Sequence, residues 1–358
     1  MLNVFKKWLD NYLSDEEAIT LLLILAGAFL IVLFLGGILA PVIASMIIAF
    51  LLQGVVVKLG RWMPHTLAVT LTFIVCVGGF TTLLVLTLPV IGKQVNTLAH
   101  ELPRIAVKAE SYLAALQHEM PTVFSDMQID SWLNHIVQRA GTFGQTLVSI
   151  SLETLPNIVA VLVYGVLIPI LVFFFLKDKD QLLGWLARFL PRNRPLMTSI
   201  WQEMNLQVAN YVRGKAVEVL IVGVTTYVAF IFLGQNYALL LGVLVGLSVI
   251  VPYIGAAVVT LPVALMSFFQ FGWADGFFYV MLAYGIIQFI DGNVLVPLLF
   301  SEAVNLHPVA IIIAVLVFGG IWGLWGVFFA IPLATLVKAL IEAWPTGNTL
   351  KSLDQEGN

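Results

Sequence analysis

The sequence predicts an all-α polytopic membrane protein with about eight transmembrane helices. Of its 358 residues, 60% are hydrophobic and only 10% are charged, and the mean hydropathy is +1.01. A soluble domain is about 45–50% apolar and about 25% charged. Several apolar runs reach the roughly 20 residues that a helix needs to cross a bilayer. Because these runs lack strand-like alternation, helices are the structure that can satisfy their backbone in lipid.

Eight apolar units follow one another along the chain. Pro41 is expected to turn the first two into a tight hairpin, because proline removes a helical hydrogen bond. Two later units are interrupted, 237–270 by Pro252 and Pro262 and 308–337 by the glycines of GGIWGLWG. Each of these two either crosses once or is a re-entrant pair of half-helices. The units lie near 19–39, 42–57, 67–91, 152–176, 216–234, 237–270, 276–299 and 308–337.

The distribution of basic residues predicts the orientation. Seven Lys and Arg residues lie between 177 and 215, which places that loop in the cytoplasm. Both termini are then cytoplasmic. The charged N-terminal stretch with no small-residue cleavage site is not a secretory signal, so the first span is retained. The predicted parts are 1–91 with transmembrane helices 1 to 3, 92–151 as an extracytoplasmic helical hairpin, 152–176 as helix 4, 177–215 as a cytoplasmic amphipathic loop, 216–340 as a C-terminal bundle with broken helices, and 341–358 as a cytoplasmic tail.

The external segment carries two heptad seams, which predict two helices that continue the third span outward and return into the fourth. The seams either pack on each other or pack between subunits. They are separated by HEMPTVFSDMQ, which has the residues of a helix stop and restart. Their apolar positions are Val95, Leu98, Leu102, Ile105, Ala109, Tyr112 and Leu116, then Ile129, Leu133, Ile136, Ala140, Phe143, Leu147 and Ile150.

No cofactor, metal or nucleic-acid partner is expected. His100, His118 and His135 have no compact ligand spacing, and HELPR and HEMPT lack the second histidine of a zinc-protease helix. Cys76 is the only cysteine, so no disulfide framework is present. No nucleophile and base pair lies in the spans, which argues against an enzyme.

The cytoplasmic loop predicts two short amphipathic helices at the headgroup boundary. They would fix the orientation of the chain or, alternatively, regulate it. Their apolar residues are Leu182, Leu183, Trp185, Leu186, Phe189 and Leu190 before PRNRP, and Met197, Ile200, Trp201, Met204, Val208 and Tyr211 after it.

The chemistry is expected in the C-terminal part, where twelve of the 28 glycines lie between 234 and 326. The stretch GLSVIVPYIG at 246–255 predicts a helix break that frees backbone groups near Pro252, Tyr253 and Gly255. A packing kink is the alternative, since Gly242 and Gly246 form a face of small residues.

The stretch IIQFIDGNVLVP at 286–297 places an acid in an apolar span, at a cost of about 2.5–3.5 kcal/mol near a helix centre. Gln288, Asp291 and Gly292 share one helical face, and Asn293 points nearly the opposite way. A break at Gly292 would let Asp291 and Asn293 converge on an ion or substrate, as in discontinuous transporter helices. Alternatively, Asp291 is neutral or hydrogen-bonded to a neighbouring helix and serves only packing.

A second charged group, YVRGKAVEVL at 211–220, opens the fifth span. Arg213 and Lys215 are expected to extend toward the cytoplasmic edge of the bilayer. Glu218, one turn deeper, is either their partner or a gate or proton acceptor.

These C-terminal motifs, together with LFSEAVNLHP (299–308) and GGIWGLWGVFFAIPLATLVKA (319–339), resemble the autoinducer-2 exporter family and, within it, the PerM-type permeases. FFFLKDKDQ, LPRNR and NYVRGK extend the resemblance over nearly the whole chain. The family pattern of glutamine, acid and proline matches Gln288, Asp291 and Pro297, with aspartate where many relatives carry glutamate. The resemblance implies an eight-span inner-membrane protein that forms a homo-oligomer, in a family linked to export of a signalling furanone or to sodium/proton exchange.

The expected function is therefore an inner-membrane secondary transporter for a small solute or signalling molecule, coupled to an ion through the intramembrane acid. The bilayer, the solute or ion and further copies of the chain are its expected partners. The alternative is a non-transporting oligomeric scaffold that recruits envelope partners through the external hairpin.

Overall fold

The computed structural model describes residues 16–119, 158–191, 194–300 and 306–343. These residues form helices joined by short turns, and they include no strand. The prediction of an all-α polytopic membrane protein is therefore confirmed. The helices are α1 (Glu16–Leu59), α2 (His65–Glu119), α3 (Ile158–Lys177), α4 (Lys179–Ala187), α5 (Pro195–Phe232), α6 (Ala238–Ser248), α7 (Ile254–Phe271), α8 (Asp275–Ile290), a π-helical turn (Asp291–Leu295), α9 (Val296–Phe300), α10 (Pro308–Trp322), α11 (Leu324–Phe328) and α12 (Ala330–Ala343).

The apolar helices correspond to the predicted units, although their boundaries differ. Among the described residues, five stretches are long and apolar enough to cross a membrane: Ile19–Leu59, His65–Glu101, Pro195–Phe232, Ile254–Phe271 and Asp275–Phe300. Three more apolar helices are shorter: Val163–Lys177, Ala238–Ser248 and Pro308–Trp322.

The expected hairpin at Pro41 is wrong, because α1 continues through this residue as one helix of 44 residues. Membrane helices tolerate an internal proline when neighbouring groups satisfy the backbone that it disturbs. Ser45 lies one turn later and its Oγ donates to the Pro41 carbonyl at 2.6 Å. The same Oγ lies 3.3 Å from the Ile168 carbonyl on α3, so this hydroxyl also joins two helices.

One core lies where α1 ends, α2 begins and α3 ends. Val56, Val69 and Leu176 are buried together there, one from each helix. From this core α2 runs for 55 residues, so the third apolar unit and the first heptad seam form one continuous helix. The second seam, at 129–150, lies outside the described residues.

The segment 177–215 differs from the prediction of two surface helices. The first is present as α4, whose apolar side chains are exposed, as expected for a helix at the membrane surface. The second is the first half of α5 and is continuous with the fifth span. Its residues Met197 and Ile200 are buried against Leu21 of α1 and against Leu336 of α12, so this part packs inside the protein rather than on the headgroups.

The interrupted unit 237–270 folds as a hairpin of α6 and α7, which we call hairpin 1. Its two ends lie together, since Ser267 Oγ donates to Gln235 Oε1 at 3.0 Å. At 11 residues α6 is about 16 Å long, and the hydrocarbon core is about 30 Å thick. The unit therefore folds back on itself as two helices instead of forming one continuous helix, and the re-entrant course in the bilayer stays a prediction.

The tip of hairpin 1, residues 249–253, is a strained turn. The Ile254 amide donates to the Pro252 carbonyl at 2.7 Å, and the residue between them, Tyr253, has φ 62° and ψ −44°. This is the geometry of the γ-turn that is rare because it strains a residue with a side chain. Gly255 follows, and a Cβ there would overlap the Ser248 carbonyl, so only glycine allows α7 to begin this close to the end of α6.

Hairpin 1 packs on α5 through glycines. A Cβ at Gly246 would lie 2.8 Å from the Gly223 Cα, and one at Gly242 would lie 2.8 Å from Tyr227 Cβ. The predicted face of small residues is therefore used for close helix packing.

The second interrupted unit, 308–337, also folds back on itself, and we call α10 to α12 hairpin 2. Its turn passes through Gly323 at φ 59°. Ala314 and Ala330 are buried together across it, and Val251 from the tip of hairpin 1 packs against them. The two hairpins therefore meet inside the molecule.

Candidate functional site

The centre of the candidate site is an ion pair buried in α5. Lys215 Nζ lies 2.6 Å from Glu218 Oε2, and the two side chains are 5% and 2% exposed. Their i,i+3 spacing puts both on the same face of the helix. The expectation that Lys215 extends to the bilayer edge is wrong. Its depth follows from the length of α5, which places residue 215 near the middle of a 38-residue helix rather than at the start of a span.

Lys215 also holds the tip of hairpin 1. Its Nζ donates to the Val249 carbonyl at 2.8 Å, and Val249 follows directly after α6. This carbonyl is available because the helix ends there and leaves its last acceptors without intrahelical donors. The ammonium also lies 5.2 Å from the centre of the Phe300 ring, a cation–π contact. One side chain thus joins α5, hairpin 1 and α9.

Asp291 faces this ion pair from the position directly after α8. It is 8% exposed and lies close enough to Lys215 and to Glu218 to interact electrostatically with both. Asp291 begins the π-helical turn, a form that is rare and frequently marks functional sites. We call Lys215, Glu218 and Asp291 the charge cluster.

Two polar atoms at this place have neither a hydrogen-bond partner nor an ion-pair partner within the described part of the chain. They are Asp291 Oδ1 and Gln288 Nε2, both buried. A buried polar atom without a partner is costly, and in a native structure it calls for a proton, a water or a ligand. Gln288 and Asp291 share a helical face, as their spacing predicts.

The charge cluster is not neutral when all three groups are ionised. One ammonium and two carboxylates leave one negative charge among buried side chains. An unpaired buried charge costs several kcal/mol, so uptake of one positive charge would be favourable. The cluster therefore can bind and release a cation or a proton.

The other residues predicted around Asp291 lie elsewhere. Asn293 is exposed, and its Nδ2 donates to the Phe289 carbonyl of its own helix at 2.9 Å. Gly292 is also exposed, with open space around it. The helix is widened into a π-helical turn rather than broken, so the expected convergence of Asp291 and Asn293 is not found.

The residues predicted at the first break, Pro252, Tyr253 and Gly255, form the tip of hairpin 1 and the residues directly after it. Tyr253 is 61% exposed and contributes a strained backbone rather than a buried side chain. Gly255 is buried. Strained residues cluster at functional sites, and this one lies four residues from the carbonyl that binds Lys215.

Arg213 is exposed, and its expected extension to the cytoplasmic edge of the bilayer stays a prediction. Its guanidinium lies beside Gly54 of α1, where a Cβ would be 3.5 Å from Nη2. It therefore packs across the surface of α1 and is not part of the charge cluster.

Sequence reasoning missed a second polar region, between α2 and the open end of hairpin 1. Tyr237, with φ 60°, donates from its hydroxyl to Glu101 Oε2 at 2.6 Å. Partial burial, and then this hydrogen bond, raise the pKa of Tyr237, so the hydroxyl stays protonated. The Leu240 amide in the first turn of α6 donates to Gln94 Oε1 at 2.9 Å. Because these contacts join residues more than 130 positions apart, no local spacing could have predicted them.

This region borders a polar cavity of about 370 Å³. Hydrogen-bonding side chains form much of its wall, namely Glu101, Arg104, Asn236, Tyr237 and Gln270. Among the described residues, no group of three or more His, Cys, Asp or Glu side chains could hold a metal ion.

Comparison with known proteins agrees with the sequence resemblance. The family described as "AI-2E family transporter" matches residues 19–346. "Putative permease PerM" of Escherichia coli (strain K12) is 45% identical over 97% of this chain and 99% of its own length. "Putative transport protein YueF" of Bacillus subtilis (strain 168) is 26% identical over 86% and 84% of the two chains. "AI-2 transport protein TqsA" of Escherichia coli (strain K12) is 25% identical over 93% and 94%.

Proposed function

The chain belongs to the AI-2E transporter family, and on that premise we propose that it is an ion-coupled secondary transporter of a small solute in the bacterial inner membrane. The observation that carries the proposal is the charge cluster, which lies beneath the tip of a hairpin that turns back inside the molecule. Intramembrane acids mark ion and substrate paths, and discontinuous helices form the sites of many secondary transporters.

The mechanism follows from the charge of the cluster. When the site carries a proton or cation, its net charge is zero, and it can move through an apolar environment at low cost. When the ion leaves, Lys215 must neutralise two carboxylates at once, which favours a different arrangement of α5, hairpin 1 and α8. Because a ligand shifts a conformational equilibrium only through its different affinity for the two states, this difference in charge can drive alternating access.

The class of solute is supported by the polar cavity and by one relative. The cavity at the open end of hairpin 1 is lined by hydrogen-bonding groups and has room for a small molecule of about ten heavy atoms or more. TqsA is described as a transport protein for AI-2. AI-2 is accordingly the first solute to test.

The test is solute flux in proteoliposomes. Asp291→Asn keeps the side-chain volume and removes the charge. Uptake of AI-2, or of another solute that the wild type moves, should therefore fall at least about tenfold, which corresponds to a lost interaction free energy of about 1.4 kcal/mol. Asn293→Ala is the matched control on the same helical turn. Because Asn293 is exposed and bonded to its own helix, flux should stay near the wild-type value.

Equal flux in the wild type and in Asp291→Asn, at equal protein content, would contradict the proposal. Gel filtration of both variants must first give the wild-type elution volume. If Asp291→Asn did not assemble at all, Asp291 would be a packing residue and the coupling site would have to lie elsewhere.

A further inference from the structure

We infer that the coupling ion of this chain is a proton and not sodium, because Lys215 already occupies the cation position of the site. The inference rests on the proposed function for its role in transport, although the binding property itself can be measured without any flux. The structure supports it in three steps.

The ammonium of Lys215 lies in a position that has the oxygen ligands of a cation site. Lys215 Nζ lies between a carboxylate oxygen of Glu218, at 2.6 Å, and the backbone carbonyl of Val249, at 2.8 Å. Carboxylates and freed backbone carbonyls are the ligands that coordinate sodium in transporters with discontinuous helices. The side chain of Lys215 therefore acts as a tethered cation in a site of the sodium-binding type.

Few oxygen ligands remain at the charge cluster for a second ion. Hard metal cations in proteins take about six or more oxygen ligands. Lys215 engages Glu218 Oε2 and the Val249 carbonyl, so the side-chain oxygens left at the cluster among the described residues are Glu218 Oε1, the two of Asp291 and the amide oxygen of Gln288. A proton needs a single oxygen, and Asp291 Oδ1 is buried without a hydrogen-bond partner among the described residues. The described part of the cluster therefore fits a proton and offers fewer oxygen ligands than sodium needs.

The titratable groups on the elements around the charge cluster determine its net charge. On α5 the nearby titratable groups are Lys215, Glu218 and Tyr211, and the Tyr211 hydroxyl donates to the Phe328 carbonyl of hairpin 2 at 2.9 Å. The segment from α8 to α9 contributes Asp291. Hairpin 1 contributes the Val249 carbonyl, and the described residues 249–255 at its tip carry no ionisable side chain except the exposed Tyr253. Among these described groups the cluster thus has one excess negative charge, which one proton removes.

The inference predicts that removing the tethered cation converts the site. Lys215→Met keeps most of the apolar stem and deletes the ammonium, so two carboxylates and the Val249 carbonyl become free. The site then carries two negative charges and has the ligands that sodium needs. Sodium binding should appear in this variant and be absent from the wild type.

The experiment measures thermal unfolding of the full chain, purified in detergent, in sodium chloride and in choline chloride at equal ionic strength. An ion that binds only the folded state stabilises the folded state. Sodium should therefore raise the unfolding midpoint of Lys215→Met by about 2–4 °C. The wild type should show the same midpoint in both salts. Lys338→Met is the matched control, since Lys338 lies 3.8 Å from Glu342 in an exposed helical pair and should give no sodium effect.

Two outcomes would overturn the inference. One is a wild-type midpoint that rises in sodium but not in choline. The other is a folded Lys215→Met variant with equal midpoints in both salts. If Lys215→Met fails to fold in choline chloride, the variant is purified in sodium chloride instead. Recovery of folded protein in sodium chloride supports the inference. Failure to fold in both salts, for Lys215→Met and for Lys215→Gln, contradicts it.

The inference and the proposed function fail separately. A sodium site in Lys215→Met together with unchanged solute flux in Asp291→Asn would support the role of Lys215 as a tethered cation and refute coupling at Asp291. Lost flux in Asp291→Asn together with sodium stabilisation of the wild type would support the coupling site and refute the proton.

Discussion

At the scale of single residues, Asp291 and Lys215 differ in how far their sequence context predicted them. Asp291 stands alone in an apolar run, so its cost in a membrane predicted a buried and polar environment, and it is buried beside charged groups. Lys215 lies at the start of an apolar run, where a lysine usually extends to the surface. Its burial depends on the helix beginning 20 positions earlier, at Pro195, which the charged residues between 188 and 194 concealed.

The ion pair itself gives a stability prediction. Glu218→Gln leaves the ammonium of Lys215 buried with less compensating charge, and breaking a buried pair costs about 3–5 kcal/mol when nothing replaces the lost partner. Because Asp291 can take over part of that role, we expect a loss toward the lower end and a clearly reduced unfolding midpoint.

The matched control for Glu218→Gln is Glu342→Gln. Glu342 pairs with Lys338 at 3.8 Å but is 64% exposed, and exposed pairs contribute less than about 1 kcal/mol. Differential scanning fluorimetry of both variants decides the point. Equal midpoints for the two variants would mean that Glu218 is already neutral in the folded protein and does not compensate the charge of Lys215.

At the scale of elements, proline and glycine predicted the breaks in the C-terminal half and misled in the N-terminal half. At the tip of hairpin 1, Pro252 is followed by a strained turn and by Gly255, whose missing Cβ lets the chain reverse. At Pro41 no such close approach follows, and the helix continues. The chain therefore reverses after Pro252 and not after Pro41 because Gly255 permits a close backbone contact. The presence of a proline alone does not predict such a contact.

This contact predicts the effect of two glycine substitutions. Gly255→Ala would drive a Cβ into the Ser248 carbonyl, so the tip of hairpin 1 must shift, and overpacking of this kind costs about 1–3 kcal/mol. We expect a lower unfolding midpoint together with impaired flux, because Val249 would no longer meet Lys215 in the same geometry.

Gly285→Ala, on α8, provides the comparison. A Cβ at Gly285 on α8 meets no other atom within 4 Å, so this variant should melt at or slightly above the wild-type temperature. If Gly255→Ala, measured in parallel, were as stable as the wild type, Gly255 would not lie as close to the Ser248 carbonyl as the close approach of α6 and α7 requires.

At the scale of the whole molecule, composition predicted the fold class, and length and hydropathy predicted most of the apolar helices. Neither could predict which helices meet. The contacts that build the site join α5 to hairpin 1 and to α8, across 34 positions between Lys215 and Val249 and more than 70 positions between Lys215 and Asp291. The expected homo-oligomer, the orientation of the termini and the returning arm of the external hairpin stay predictions.

In the proposed mechanism, each transport cycle moves one proton through the charge cluster together with the solute. The most direct test is to record the internal pH of proteoliposomes with a trapped dye while a solute gradient is applied. With a solute that the wild type moves, the wild type should carry protons in step with solute, and Asp291→Asn should carry neither. Solute flux in the wild type without any proton movement, or proton-coupled flux that persists in Asp291→Asn, would contradict it.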